Sequence, residues 1–309
     1  MSALVIIVGP TGVGKSAAAL SLAPLIRGEI ISGDSVQVYR YLDIGSAKPR
    51  PEERRLVRHH LIDCLEPDEP FTAVQFQTEA KRLIREIQQR GRIPIVVGGT
   101  GLYVRTLTDP FSFAPPGSEE IRRQWRDYGQ RHGAAALHRA LAERDPESAH
   151  RLHPNDGFRI IRALEIFELT GKPLTQEREF NEKAYAPLPE RIIYIGLTMD
   201  RAGLYRKIDA RCEQMIRRGL LTETLDIIRA GFHRNLKPLK SIGYRHAVWQ
   251  LLGKVTAEEM LRLMQRDSRR YAKRQLTWFQ RDPRVRWFDR SQASLTEVQE
   301  YVLEKLRRQ

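Results

Sequence analysis

Gly9-Pro10-Thr11-Gly12-Val13-Gly14-Lys15-Ser16 fits the pattern G-x-x-x-x-G-K-[ST], and its flanks decide what kind of fold carries it. Before it stands Leu4-Val5-Ile6-Ile7-Val8, an unbroken apolar run of the kind buried on both faces of a parallel sheet. After it, Ser16 to Leu25 is rich in Ala and Leu and is expected to be a helix. In that strand–loop–helix context the glycines let backbone N–H groups converge on an anion, and the helix N-terminus adds positive dipole. Lys15 then reaches the phosphates, and the Ser16 hydroxyl is the expected ligand of Mg²⁺.

The loop alone does not say which phosphate compound it holds. P-loop NTPases usually bring a second strand ending in Asp to hold Mg²⁺. The best candidate, Ile93-Pro94-Ile95-Val96-Val97, runs into Gly98-Gly99-Thr100 instead. A different run, Glu29-Ile30-Ile31-Ser32-Gly33, delivers Asp34 to its end. Neighbouring parallel strands share one crevice at their carboxyl ends, so Asp34 is expected to face the cradle, where a second substrate would meet the bound phosphate compound. The fold class expected is α/β, a P-loop parallel sheet with helices on both faces.

The chain has 309 residues and 41% hydrophobic content, enough for a globular core with a smaller insert. Cys64 and Cys212 lack the paired spacing of a zinc site and suit a reducing compartment. Met1 to Val8 reads as the strand before the loop rather than a signal peptide, and no run reaches membrane-spanning length. A cytoplasmic protein without a membrane partner is expected, and with no dimerising stripe in view, a monomer. Lys and Arg exceed Asp and Glu by 14, and residues 201–309 hold 25 basic against 12 acidic residues. An excess confined to the last third points to a polyanion docking there.

In chain order, the loop Asp43-Ile44-Gly45-Ser46-Ala47-Lys48-Pro49 is too elaborate for a simple connector. His59-His60 cannot face the same way on a strand, so one packed and one exposed histidine are expected rather than a metal pair. Thr72 caps a helix to about Gln89. Ala114-Pro115-Pro116-Gly117 breaks the pattern before a helical stretch with helices at Glu119 to His132, Ala134 to Leu141 and Asp156 to Leu169, the last capped by Asn155. Pro187 and Pro189 form the exit, and Arg191 to Leu197 returns to β character. Residues 114–186 therefore read as an all-helical insertion in a core made of 1–113 and 187–309. Asp200 caps a long helix to Arg218 that carries Lys207 and Arg211 one turn apart, and Lys240 to Arg245 is a basic turn suited to phosphate. Thr256 starts a helix with Arg262, Arg266, Arg270 and Arg274 at intervals of four, a stripe that can lie along a phosphate backbone. A last strand is expected at Val285 to Phe288 and a terminal helix at Leu295 to Arg307.

These motifs, taken in order over nearly the whole chain, resemble the tRNA dimethylallyltransferase family. The P-loop is widely shared. Far more specific are Asp34-Ser35-Val36-Gln37-Val38-Tyr39, the Asp43 to Pro49 loop, Gly98-Gly99-Thr100-Gly101-Leu102-Tyr103, Arg159-Ile160-Ile161-Arg162-Ala163-Leu164-Glu165, Ile242-Gly243-Tyr244-Arg245 and Tyr271-Ala272-Lys273-Arg274-Gln275-Leu276-Thr277-Trp278-Phe279. His246 departs from it, where an acidic or amide side chain is expected, and puts one local tRNA contact in doubt.

The resemblance implies dimethylallyl diphosphate as donor, Mg²⁺, and a tRNA whose adenosine 37 is flipped into a channel. It implies Asp34 as the base that takes a proton from the exocyclic amine, with Thr11 and Arg211 at the diphosphate and its bridging oxygen. Residues Gly9 to Ser16 then form the diphosphate cradle. Implied tRNA contacts are Asp34, Ser35, Val36 and Gln37; Thr100; Arg122; Phe158, Arg159, Ile160, Ile161 and Arg162; and Lys240, Ser241, Ile242, Gly243, Tyr244 and Arg245. Two other classes stay open on the residues alone, a P-loop small-molecule or nucleotide kinase and a non-catalytic RNA-binding P-loop protein. The basic last third speaks against the first, and a carboxylate aimed at the cradle against the second.

Overall fold

The N-terminal apolar run becomes β1 (Ala3–Val8), every residue of which is buried. In the computed structural model, which describes residues 3–109, 117–174 and 191–308, it lies inside a six-stranded sheet. The other strands are β2 (Gly28–Ser32), β3 (His59–His60), β4 (Ile93–Val97), β5 (Arg191–Thr198) and β6 (Arg286–Asp289). All pairings are parallel, in the order β3-β2-β4-β1-β5-β6. Residues Val5, Ile6 and Ile7 pair with Ile95, Val96 and Val97 on one side and with Ile193, Tyr194 and Ile195 on the other. That placement explains why the run shows no polar alternation: neither face nor edge meets water.

Helices flank the sheet because their apolar residues recur at helical spacing. In Ala73–Gln89 the buried set is Phe76, Ala80, Leu83, Ile84 and Ile87, one stripe along one face. Thr72 caps it, accepting from the Gln75 N–H. The helix after the loop is shorter than expected: Lys15–Leu22 passes into a 3₁₀ turn, Ala23–Ile26, at Pro24. The expected strand at Val285 to Phe288 is β6, shifted by one residue, and the terminal helix is Leu295–Arg307.

The chain divides into two compact units, Met1–Leu107 with Leu188–Gln309, and Thr108–Pro187. Ala114 to Pro116, Pro187 and Pro189, expected to mark the passages between them, lie outside the described residues. In the second unit the two helices expected on either side of Gly133 meet there, within Glu119–Arg144, and Gly133 alone leaves helical geometry at φ 82°. The helix Gly157–Thr170 is capped by Asp156, not by Asn155 as expected, because the Asp156 carboxylate accepts the Arg159 N–H. Leu137, Leu141, Ala149, Ile160, Ala163 and Leu164 form this unit's own core.

His59 and His60 are both half-buried, which corrects the expectation of one packed and one exposed. Each has a structural partner: His59 Nδ1 lies 2.7 Å from the Val57 carbonyl, and His60 Nε2 lies 2.7 Å from Glu29 Oε2. No group of three or more His, Cys, Asp or Glu side chains that could hold a metal ion occurs among the described residues. No described helix is long and apolar enough to cross a membrane. Cys64 and Cys212 are free thiols, the first exposed and the second buried.

Candidate active site

The loop between β1 and the helix Lys15–Leu22 takes a shape only glycine permits at two decisive points. Gly9 has φ +141°, and a Cβ there would lie 2.3 Å from the Leu197 carbonyl oxygen of β5. Gly14 has φ +97° and leads directly into the helix, leaving its first N–H groups open toward the loop. Lys15 curls back over this loop, donating to the carbonyls of Gly9 at 2.9 Å and Pro10 at 2.8 Å. Desolvation in the cleft and then the Arg211 guanidinium pull its pKa down to about 7, against the opposing pull of Asp34.

Arg211 comes from the helix Arg201–Arg217, whose Asp200 cap accepts the Gly203 N–H at 2.8 Å. Its Nη1 donates to the Thr11 hydroxyl at 3.0 Å. Burial lowers its pKa as well, with Asp34 again opposing. Asp34 sits just beyond the end of β2, where Oδ1 accepts the N–H groups of Val36 at 2.8 Å and Gln37 at 3.3 Å. Those bonds fix the carboxylate, and Oδ2 has no hydrogen-bond partner among the described residues. Gly98, at the end of β4, packs against Gly33: a Cβ on Gly98 would lie 2.3 Å from the Gly33 carbonyl oxygen. That close approach brings the Gly98-Gly99 turn beside the loop, as its position in the sheet requires.

Two cavities meet at this point. The first, about 430 Å³, is lined by Gly12, Gly14, Lys15 and Ser16 of the loop together with Lys207, Arg211 and Arg218. Its four cations form no salt bridge among the described residues, and Asp34 is the one carboxylate lining it. Such a space is built for an anion. Ser16, Ser32 and Asp34 also line it, oxygen donors of the type Mg²⁺ takes alongside phosphate and water. The second, about 340 Å³, has the apolar and sulfur-bearing side chains Val36, Ile208, Cys212, Met215, Ile242 and Met264, with Lys240, Arg245 and Arg274 also lining it. The two share Thr11, Asp34, Ser46, Arg211, Met215 and Tyr271. A phosphate compound in one and a flat, partly apolar molecule in the other would touch at Asp34.

The segments expected to contact RNA divide in the structure. Asp34, Ser35 and Val36 line the second cavity, as do Lys240, Ser241, Ile242 and Arg245. Gln37 turns inward: Ser32 donates to its Oε1 at 2.8 Å, and its Nε2 donates to the Ser46 and Ala47 carbonyls at 3.2 Å each. Gly243 and Tyr244, expected to contact tRNA, are buried. The Tyr244 hydroxyl donates to Glu223 Oε1 at 2.6 Å and accepts the Gly45 N–H at 3.1 Å. Glu223 also accepts the N–H groups of Asp43 and Ile44, so this pair anchors the Asp43 to Pro49 loop. Thr100 is half-buried beside Tyr271.

In the second unit Phe158 is 85% exposed, with Arg159 exposed next to it. Ile160 is fully buried in that unit's core, while Ile161 is half-buried. Arg122 and Arg162 both pair with Glu165, itself 0% exposed. His246, the one departure from the expected pattern, is also buried. Its Nδ1 accepts the Gly243 N–H at 3.3 Å and its Nε2 lies 3.2 Å from Asp267. The arginine stripe is uneven too: Arg262, Arg270 and Arg274 are exposed, but Arg266 pairs with Asp267.

Tyr271 and Gln275 are site residues to which sequence reasoning assigned no role. Tyr271 lines both cavities, and burial followed by the charge of Asp34 pushes its phenol up to about 12. The signal was present: Asp267, Tyr271 and Gln275 recur every four residues on the helix Ala257–Phe279, on the face that also buries Met260 and Met264. Polar residues on a buried face are held there by partners.

The chain matches the IPP transferase family over residues 37–282. It is 57% identical over 303 residues to a tRNA dimethylallyltransferase of Desulfitobacterium hafniense, covering 98% of this chain and 96% of that one. With a tRNA dimethylallyltransferase of Carboxydothermus hydrogenoformans the identity is 48% over 302 residues, covering 97% and 96%. Among solved structures, the full-length tRNA isopentenylpyrophosphate transferase of Bacillus halodurans matches with a TM-score of 0.73 at 41% identity, over 99% of this chain and 97% of that one. A eukaryotic dimethylallyltransferase acting on tRNA matches at 0.79 and 27% identity, over 99% and 78%. Sequence and fold agree almost from end to end, and on that agreement the chain belongs to the IPP transferase family.

Proposed function

We propose that the protein transfers a dimethylallyl group from dimethylallyl diphosphate to the N6 amine of adenosine 37 in tRNA, releasing diphosphate. The observation that carries this reading is the meeting of a cation-lined cavity and a partly apolar one at Asp34, Thr11 and Arg211. Diphosphate lies in the first, against the loop amides, Lys15 and Arg211. Its charge supplies the partner that these cations lack and raises the pKa of Lys15 back toward its ordinary value. Mg²⁺ held at Ser16 would neutralise part of that charge.

Adenine enters the second cavity. A base in a single-stranded loop is extruded at a cost of only a few kcal/mol, offset by stacking and edge contacts. Its exocyclic amine is a weak nucleophile, and Asp34 takes its proton as the new C–N bond forms. The allylic C–O bond breaks, and the electron pair stays on the diphosphate oxygen, where Arg211 and the Thr11 hydroxyl meet the growing charge. The Val36 and Gln37 amides hold Asp34 in place for this transfer. Exposed Phe158 and Arg159, and the paired Arg122 and Arg162, are suited to stacking and phosphate contact with the same RNA. The test is incubation with unmodified tRNA and either dimethylallyl diphosphate or ATP, followed by mass analysis of the nucleosides. Dimethylallyladenosine formed only with the first donor supports the reading; phosphorylated product from ATP contradicts it.

A further inference from the structure

Gln275 takes no part in the chemistry above, yet it is bonded to the loop that does. It is 6% exposed, on the helix Ala257–Phe279. Its Oε1 accepts the Thr11 N–H at 2.8 Å, and its Nε2 donates to the Gly99 carbonyl at 2.9 Å. A Cβ on Gly99 would lie 2.0 Å from Nε2, so the amide fills the space that glycine leaves open. The Thr11 hydroxyl in turn accepts from Arg211 at 3.0 Å. One side-chain amide therefore joins the turn after β4, the P-loop and the Arg211 helix into a single hydrogen-bonded line.

This line changes what the cradle offers. Pro10 has no N–H, and the Thr11 N–H is committed to Gln275, so neither of these two loop positions offers an amide to an anion. Thr11 is thereby held by its backbone while its hydroxyl faces Arg211. We propose that Gln275 is a positioning residue for the diphosphate: by gripping the Thr11 amide it sets the Thr11 hydroxyl and Arg211 as one unit where the two cavities meet. The proposal rests on reading the first cavity as a diphosphate site. It does not depend on which group the diphosphate leaves.

Inorganic diphosphate is the probe, titrated calorimetrically into the full chain, so that prenyl transfer is not needed for the answer. Gln275→Met fills a similar volume without hydrogen bonds. It is expected to weaken diphosphate by at least about tenfold in the wild-type background but by less than about twofold alongside Thr11→Ala, because residues in one network couple. Equal losses in both backgrounds, or an unchanged affinity in the folded variant, would overturn the proposal. Gln275→Glu provides a second reading if the first variant folds poorly. The ionised side chain repels the Gly99 carbonyl, whereas the protonated acid both donates and accepts as the amide does. Diphosphate affinity relative to wild type at each pH should therefore recover as pH falls from 8 to 6, and a flat ratio would count against the proposal. A protein that binds diphosphate in this way but does not prenylate tRNA would break the functional reading and leave Gln275 standing; the reverse result would do the opposite.

Discussion

The cations of the P-loop cleft and the arginines of the second unit meet opposite electrostatic environments. Arg122 and Arg162 share the buried carboxylate of Glu165, which also accepts the Ser118 N–H at 2.7 Å. In the same manner Arg245 and Arg266 share Asp267 in the core unit. Lys15, Lys207, Arg211 and Arg218 line one cavity with no salt bridge among the described residues, and Lys15 is left donating to two backbone carbonyls. Burial disfavours the charged forms of Lys15 and Arg211, and a fold retains such unpaired charge where a ligand supplies the missing partner. Lys207 and Arg218 reach the same cavity from exposed positions. The paired arginines shape and present a surface, while the unpaired ones mark where the anion goes.

Removing a carboxylate from the compensated side should have the largest effect. Glu165→Gln removes a fully buried carboxylate from two arginines that are about a third exposed, and a loss of about 2–3 kcal/mol is expected in denaturant unfolding. A change within experimental error would show that the cluster is solvated and would dissolve the contrast.

On the uncompensated side the sign reverses. The pKa of Lys15 falls from 10.5 to about 7 on folding, so the folded state disfavours the charged form. That penalty is complete at and below about pH 7 and disappears as pH rises toward 10.5. Ligand-free Lys15→Met should therefore be more stable than wild type by up to a few kcal/mol near neutral pH. The gap should close by about pH 10 in paired thermal melts, and added diphosphate should protect only the wild type. A variant less stable than wild type at pH 7 would mean that the lysine is already matched.

The smallest effect is expected at Asp267. Burial would raise its pKa, but hydrogen bonds from Arg266, His246 and Arg245 outweigh that and bring it down to about 2. Its stabilisation is present above the ordinary carboxylate range near 4 and is lost as pH falls through about 2. Comparing wild type with Asp267→Asn in acid unfolding should show a difference of about 2 kcal/mol at pH 5 that vanishes below pH 2.

Much of this architecture was legible because it rests on strong local signals. The P-loop pattern and the two apolar runs at β1 and β4 place the cleft, and the caps at Thr72, Asp200 and Thr256 set three helix starts. Less legible was the inward or outward turn of each residue within a basic motif. Lys240 to Arg245 reads as one phosphate-binding turn, yet Tyr244 faces Glu223, a partner 21 residues earlier. Gln37 and Gln275 were ambiguous for the same reason, since a buried amide is recognised only when its distant partners are known. The capping residue at 155 or 156 was a choice between adjacent Asn and Asp, which local preference does not separate.

The account depends most directly on Asp34 as the proton acceptor between the two cavities. Asp34→Asn keeps an oxygen for the Val36 and Gln37 amides but removes the basic carboxylate. Single-turnover transfer from dimethylallyl diphosphate to tRNA should slow by at least about a hundredfold, with tRNA affinity unchanged to within a few-fold. A near wild-type rate in a folded Asp34→Asn protein would contradict the account and remove this carboxylate from the chemistry.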